Sequence, residues 1–263
     1  MPGKGQCNKW CIERVDAESN TKTPVLASLY RRKVEATREQ VRSIFEAFEP
    51  LEATGEEIVR IERIYREHRP DDPVTVWTGK SASETSLKTL KGLKHPPWVL
   101  HVAIRGFYLP EPLQTLARPQ LYSGLVMAGA NNYLDLDDDE TAVRPEDGIL
   151  YSLEAQDLNL EGTELVVLSA CDTGKGVIDY SEGIVGMVQA LRIAGARQIL
   201  MTLWPVLDKP TAAFMESFYE NWLTLPDQDV VVVLDATKEA FRQHDNPSYR
   251  RSQVWAPFVL IGA

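Results

Sequence analysis

The feature that most restricts this chain is an alternation that begins after the breaker Pro70-Asp71-Asp72-Pro73. From there on, short apolar runs take turns with helical stretches. Val74 to Trp77, Trp98 to Ile104, Leu121 to Met127, Glu164 to Ala170, Gln198 to Leu203 and Val254 to Ile261 read as strands. Helices are expected between them at 81–90, 182–195, 208–223 and 231–243, with Ser81 and Glu84 as the start signal of the first. Strands such as Val166-Val167-Leu168 have no polar face, so both faces must be covered. Strands and helices in alternation build a largely parallel sheet with helices on either side. The expected class is therefore α/β, a three-layer α/β/α sandwich around a mostly parallel sheet.

The part before the breaker reads differently. Residues 1–24 are polar and without period, as a loose terminus is. Leu29, Val34, Val41, Ile44 and Phe48 mark a helix over about 26–48. A second helix is expected after Thr54-Gly55, with Glu56 and Glu57 in its first turn and its end near His68. The simplest division is a tail and helical lead over 1–49 and one domain over 50–263.

Composition narrows the function. Lys and Arg number 28 against 38 Asp and Glu, a formal net charge of −10. Nucleic-acid binding needs a basic footprint, and an anionic membrane surface would repel this chain. No apolar run approaches the roughly 18 residues of a spanning helix, and the first ten residues hold no apolar signal core. Three cysteines, Cys7, Cys11 and Cys171, suit a reducing compartment, so a cytoplasmic protein is expected. Cys7 and Cys11 have no neighbouring His or Cys to complete a zinc site, and no metal or cofactor is expected. Walker, H-E-x-x-H, G-x-S-x-G and dinucleotide fingerprints are all missing.

In an open α/β sheet, ligands meet the carboxyl ends of the strands. Two strand ends carry chemistry here. One is Leu100-His101-Val102-Ala103-Ile104-Arg105-Gly106-Phe107, and the other is Val167-Leu168-Ser169-Ala170-Cys171-Asp172-Thr173-Gly174. Cys171 leaves its strand at a small-residue turn, where a nucleophile can be presented beside backbone N–H donors. The plain alternative is a buried strand-end Cys acting as a small hydrophobe.

Together these segments resemble the CHAT domain, a branch of the caspase, legumain, gingipain and separase fold. The resemblance covers about 50–263. It runs through Thr78-Gly79, Arg105-Gly106-Phe107, Ser169-Ala170-Cys171-Asp172-Thr173-Gly174, Glu182-Gly183, Leu203-Trp204-Pro205-Val206 and Trp255-Ala256-Pro257-Phe258. It implies a caspase-like sandwich and a cysteine peptidase site. Cys171 takes the position of the nucleophile, and Gly106 that of the oxyanion glycine. Arg105 stands where the family has its dyad histidine.

That replacement changes the chemistry. Histidine takes the thiol proton and returns it to the leaving amine near neutral pH. Arginine, with a pKa above ~12, stays protonated and does neither. Its charge favours a Cys171 thiolate without supplying a proton shuttle. His101 lies on the same strand about 13 Å back, at ~3.3 Å per residue, and reads as structural.

Three readings follow. One is a caspase-like peptidase with weak or absent turnover. A second is a non-catalytic module that binds a peptide or protein in the same cleft. The third is another thiol chemistry at Cys171, such as redox sensing. Asp135 to Glu140 and Asp147 could shape a pocket for a basic side chain, and Asp172 could touch substrate. The acidic run also reads as a solvated loop. Relatives are often fused to helical repeats, so a separate helical-repeat protein is an expected partner, beside a peptide or protein substrate.

Overall fold

The computed structural model describes residues 52–108, 123–131, 146–169, 180–204, 208–225 and 229–262. The expected helix at 26–48, the acidic run 135–140 and all three cysteines lie outside them.

Two sheets form among the described residues. The larger has four strands in the order β1, β5, β6, β7: β1 (Val99–Val102), β5 (Leu165–Leu168), β6 (Gln198–Thr202) and β7 (Phe258–Ile261). The first three are parallel, and β7 runs antiparallel to β6. The smaller has three antiparallel strands, β2 (Arg105–Tyr108), β3 (Ser123–Val126) and β4 (Ile149–Tyr151).

Strand alternation divides the core in two. Val99, Leu165, Val167 and Leu200 point to one face. There they meet α1 (Glu52–His68), α5 (Asp208–Thr224) and α6 (Val230–Arg242) through Ile64, Phe214, Phe218, Tyr219 and Val233. Leu100, Val102, Val166, Leu168, Ile199 and Met201 point to the other face. They pack against α4 (Tyr180–Ile193), α2 (Glu84–Lys88) and α3 (Ser152–Ala155) through Met187, Leu191, Leu87 and Ala155. Successive strand residues project to opposite sides, so an unbroken apolar run serves both layers. On the α5 side, Phe214 stacks on Phe258 of β7 with ring centroids 4.0 Å apart.

Helix starts follow local chemistry. The Asp229 side chain accepts from Val231 N at 3.0 Å and opens α6. Ser83, rather than the expected Ser81, caps α2 by accepting from Ser86 N. Ser81 instead lies in a 3₁₀ turn, Gly79–Ser81. The first described helix begins at Glu52, three turns before its buried Ile64 and Tyr65. Glu57 is therefore internal to it rather than at its start.

Four strand expectations are corrected. Val74 to Trp77 forms no strand among the described residues; Val74 and Trp77 pack against the two different core layers. The run from Trp98 onward is two strands in two sheets, parted at Ala103 and Ile104. The 121–127 strand joins the antiparallel sheet, not the parallel one. Residues 252–255 form the short helix α7, and the closing strand starts only after Pro257.

Candidate functional site at the carboxyl ends of β1 and β5

Strands β1 and β5 are neighbours in parallel register, with Val102 opposite Leu168. The register carries one step further, where Ser169 N donates to Val102 O at 3.0 Å. Both chains thus leave the sheet at the same level. Arg105 lies three residues past Val102, and Cys171 three residues past Leu168. Cys171 and Asp172 fall outside the described residues, as does the side chain of Arg105.

Beyond Val102 the chain passes through Ala103 and Ile104 into the small sheet. There Arg105 pairs with Val126 and Gly106 with Leu125. A Cβ placed on Gly106 would meet only Gly124 O at 3.7 Å and the Leu125 side chain at 3.9 Å. Those are ordinary contacts, so packing does not demand glycine here. On the β5 side, Ser169 is buried, and its Oγ has no hydrogen-bond partner among the described residues.

All four histidines of the chain are described. His101 sits in β1 with both ring nitrogens engaged: Nδ1 lies 3.1 Å from Tyr219 Oη and Nε2 3.1 Å from Glu57 Oε1. Its side chain is enclosed between α1 and α5, as is that of Glu57. Burial, then the charge of Glu57, pushes the Tyr219 hydroxyl well above its usual pKa. His95 precedes β1, at the end of the strand away from Arg105. His68 closes α1 and meets Ile64 O and Thr224 Oγ1. His244 follows α6 and accepts from Asn246 N.

Asp147 is 1% exposed, and its Oδ1 accepts from Ile149 N at 2.9 Å. Residues 147 and 148 join a network that the sequence reading missed. Lys88 Nζ donates to Glu84 and, at 3.1 Å, to Glu154, and lies 3.5 Å from Glu146. Glu84 Oε2 accepts from Gly148 N, and Glu154 Oε2 from Tyr151 N. The one sequence signal was the i, i+4 spacing of Glu84 and Lys88, which is common on solvated helices. No group of three or more His, Cys, Asp or Glu side chains among the described residues is placed to hold a metal ion. No described helix is long and apolar enough to cross a membrane.

Residues 16–263 match the family model described as "CHAT domain". The chain belongs to the CHAT domain family. This family is related to the caspase-like peptidases. Among curated proteins, the CHAT chain is similar to mouse Tetratricopeptide repeat protein 28, with 30% identity over 120 residues. The human protein of that name is 27% identical over 116 residues. Each match covers 44% of this CHAT chain and 4% of the relative's length.

Proposed function

We propose that this CHAT domain is a caspase-like cysteine peptidase fold, a three-layer sandwich, that binds a peptide or protein but cleaves it weakly or not at all. In this reading Cys171 is the retained nucleophile, and Gly106 supplies an oxyanion N–H. Arg105 occupies the position of the dyad histidine. The observation that carries the reading is the register of Val102 with Leu168, which puts the starts of both site segments at one level on adjacent strands. The lack of steric need for glycine at 106 supports a backbone role there.

The missing element is a proton shuttle. Cys171 needs a base to attack at neutral pH, and the leaving amine needs an acid. A guanidinium does neither, though its charge stabilises a thiolate. His101 does not fill the gap, because both of its nitrogens are bound within the core. The second reading, a pseudoenzyme module that holds its ligand without turnover, follows from the same arrangement. Asp172 and Asp147 are proposed to favour a basic side chain in the ligand. Asp147 would do so from a buried position, through its charge rather than by contact.

A helical-repeat protein is the partner we infer, on the strength of relatives whose name carries tetratricopeptide repeats. We place the chain in the cytoplasm, where three cysteines remain thiols, and divide it into a lead over 1–49 and the domain over 50–263.

The test is cleavage of peptides bearing Lys or Arg. General acid–base help is worth about 10²- to 10⁴-fold in rate. Arg105→His is expected to raise cleavage by a factor in that range, and Cys171→Ala in that background to abolish it. Vigorous Cys171-dependent cleavage by the native chain would overturn the reading of Arg105. Peptide binding without cleavage by either form would favour the pseudoenzyme.

A further inference from the structure

A buried ionic network fastens the small sheet to the segment before β1. Its centre is Glu84, the first residue of α2 and only 1% exposed. One carboxylate oxygen takes the Lys88 ammonium, and the other accepts from Gly148 N at 3.2 Å. Gly148 is a junction in its own right. Its carbonyl accepts from Met127 N at 2.7 Å, and it lies hard against the backbone of Gly129 and Ala130. The residues just before Glu84 grip the other side of the same junction. Ala82 O accepts from Ala128 N at 2.9 Å, and Ser83 bridges to Ala128. Ala82 to Glu84 thus clasps the exit of β3 and the entry of β4 together.

At the centre of the clasp one ammonium serves two enclosed carboxyl groups. Among the described residues, Glu84 faces Lys88 on its own helix, Glu146 and Asp147 from the entry of β4, and Glu154 from α3. One cation is set between two largely enclosed carboxyl groups, Glu84 and Glu154, with Glu146 at the more exposed edge. Removing the last proton from Glu84 and Glu154 leaves Lys88 to compensate two enclosed carboxylates, which is costly.

We propose that the Glu84–Lys88–Glu154 cluster is a proton-operated latch that holds α2 to the β3–β4 junction. With a proton retained on the cluster, Lys88 and one carboxylate form a neutral pair, and the junction is closed. Without it, two carboxylates compete for Lys88 beside Asp147, and the junction opens more readily. The direction of each titration agrees. Burial pushes Glu84 up to about 8, the neighbouring charges of Glu154 and Asp147 adding to it against the pull of Lys88. Burial likewise raises Glu154. Burial alone would lower Lys88, but its hydrogen bond to Glu84 and the carboxylate charges prevail and hold it protonated. The closed junction therefore binds a proton more tightly than the open one. Its stability is greatest at the acid end, is lost as pH rises from near 4.5 towards about 8, and levels above that.

The latch does not depend on peptidase activity. It acts on β3, the strand that pairs with Arg105 and Gly106 in β2, so it reaches the candidate site through one strand.

Hydrogen exchange of the intact chain tests it, with rates corrected for intrinsic base catalysis. The Gly148 and Met127 amides are expected to lose protection by up to tenfold per pH unit between about pH 5 and 8, then to level off. Glu84→Gln keeps an oxygen for Gly148 N and is expected to remove most of that slope. Glu84→Gln with Glu154→Gln is expected to flatten it. A native chain without the slope, or variants that keep it in full, would overturn the latch. Infrared spectroscopy of the native chain gives a reading that needs no folded variant. A protonated-carboxyl C=O stretch is expected at pH 7, fading above about 8, and its absence at pH 7 would equally overturn the proposal.

Discussion

His101 Nε2 lies 3.1 Å from Glu57 Oε1, and this contact ties the middle of β1 to α1 inside the core. On its other side the ring meets the Tyr219 hydroxyl, so one imidazole joins a strand to two helices. The chain Glu57–His101–Tyr219 is satisfied only as a unit. Each member is buried and leaves an orphan behind when a neighbour is removed.

Truncation of this histidine is therefore expected to act on stability. His101→Ala strips the hydrogen bond from Glu57 and from Tyr219, at about 1–3 kcal/mol for each buried group left unpaired. Urea unfolding of the variant should show a loss of several kcal/mol by that principle. A double variant, Glu57→Leu with His101→Leu, should cost less than the sum of its single changes. A loss below about 1 kcal/mol for His101→Ala would show that the triad is not a unit.

Ser169→Ala is expected to go the other way. The Ser169 hydroxyl is buried at the end of β5 without a partner among the described residues. Its desolvation is not offset, so removing it should leave stability unchanged or raise it by about 1 kcal/mol. A clear loss in thermal or urea unfolding would mean that the hydroxyl is engaged after all.

Gly148 should tolerate no side chain. Its φ of +77° lies in the left-handed region, and an added Cβ would fall 2.3 Å from Ala130 N. The conformation alone costs a non-glycine residue about 1–3 kcal/mol, and the overlap with backbone adds to it. Gly148→Ala should therefore unfold at markedly lower denaturant than Gly129→Ala. Position 129 shares a positive φ, but a Cβ there would meet nothing within 4 Å.

For Cys171, the expected outcome is a lowered thiol pKa. In the proposed site the Arg105 cation would favour thiolate, and a free thiol titrates near 8.5. Alkylation followed against pH, cysteine by cysteine, should give a midpoint for Cys171 below that of Cys7 and Cys11. A Cys171 midpoint at or above ~8.5 would remove the electrostatic role of Arg105.

What could be read from the sequence was set by how locally each element is determined. Leu165 to Leu168 and Gln198 to Thr202 were plain because buried central strands need no polar face. The helices at 208–224 and 230–242 follow from their own apolar stripes. Ile149 to Tyr151 was missed because three residues carry no period, and only its pairing with β3 makes it a strand. The break at Ala103 and Ile104 was hidden by an apolar run that continues across it. At the candidate site, Cys171 and the Arg105 position stood out by residue type. The Glu84 and Glu57 networks did not, because an acidic residue on a helix looks solvated until the fold buries it.

The break between β1 and β2 also places the two halves of the candidate site on different sheets. Ala103 and Ile104 are the whole length of chain between β1 in the large sheet and β2 in the small one, and the chain returns from β4 to β5 through residues 152–164. So short a connection holds the Arg105 and Gly106 backbone of β2 close to the end of β1 while pairing it with β3. The end of β5 stays anchored by its ladders to β1 and β6. In the proposed site, a ligand between the two strand ends would rest on one sheet at Arg105 and Gly106 and on the other at the end of β5.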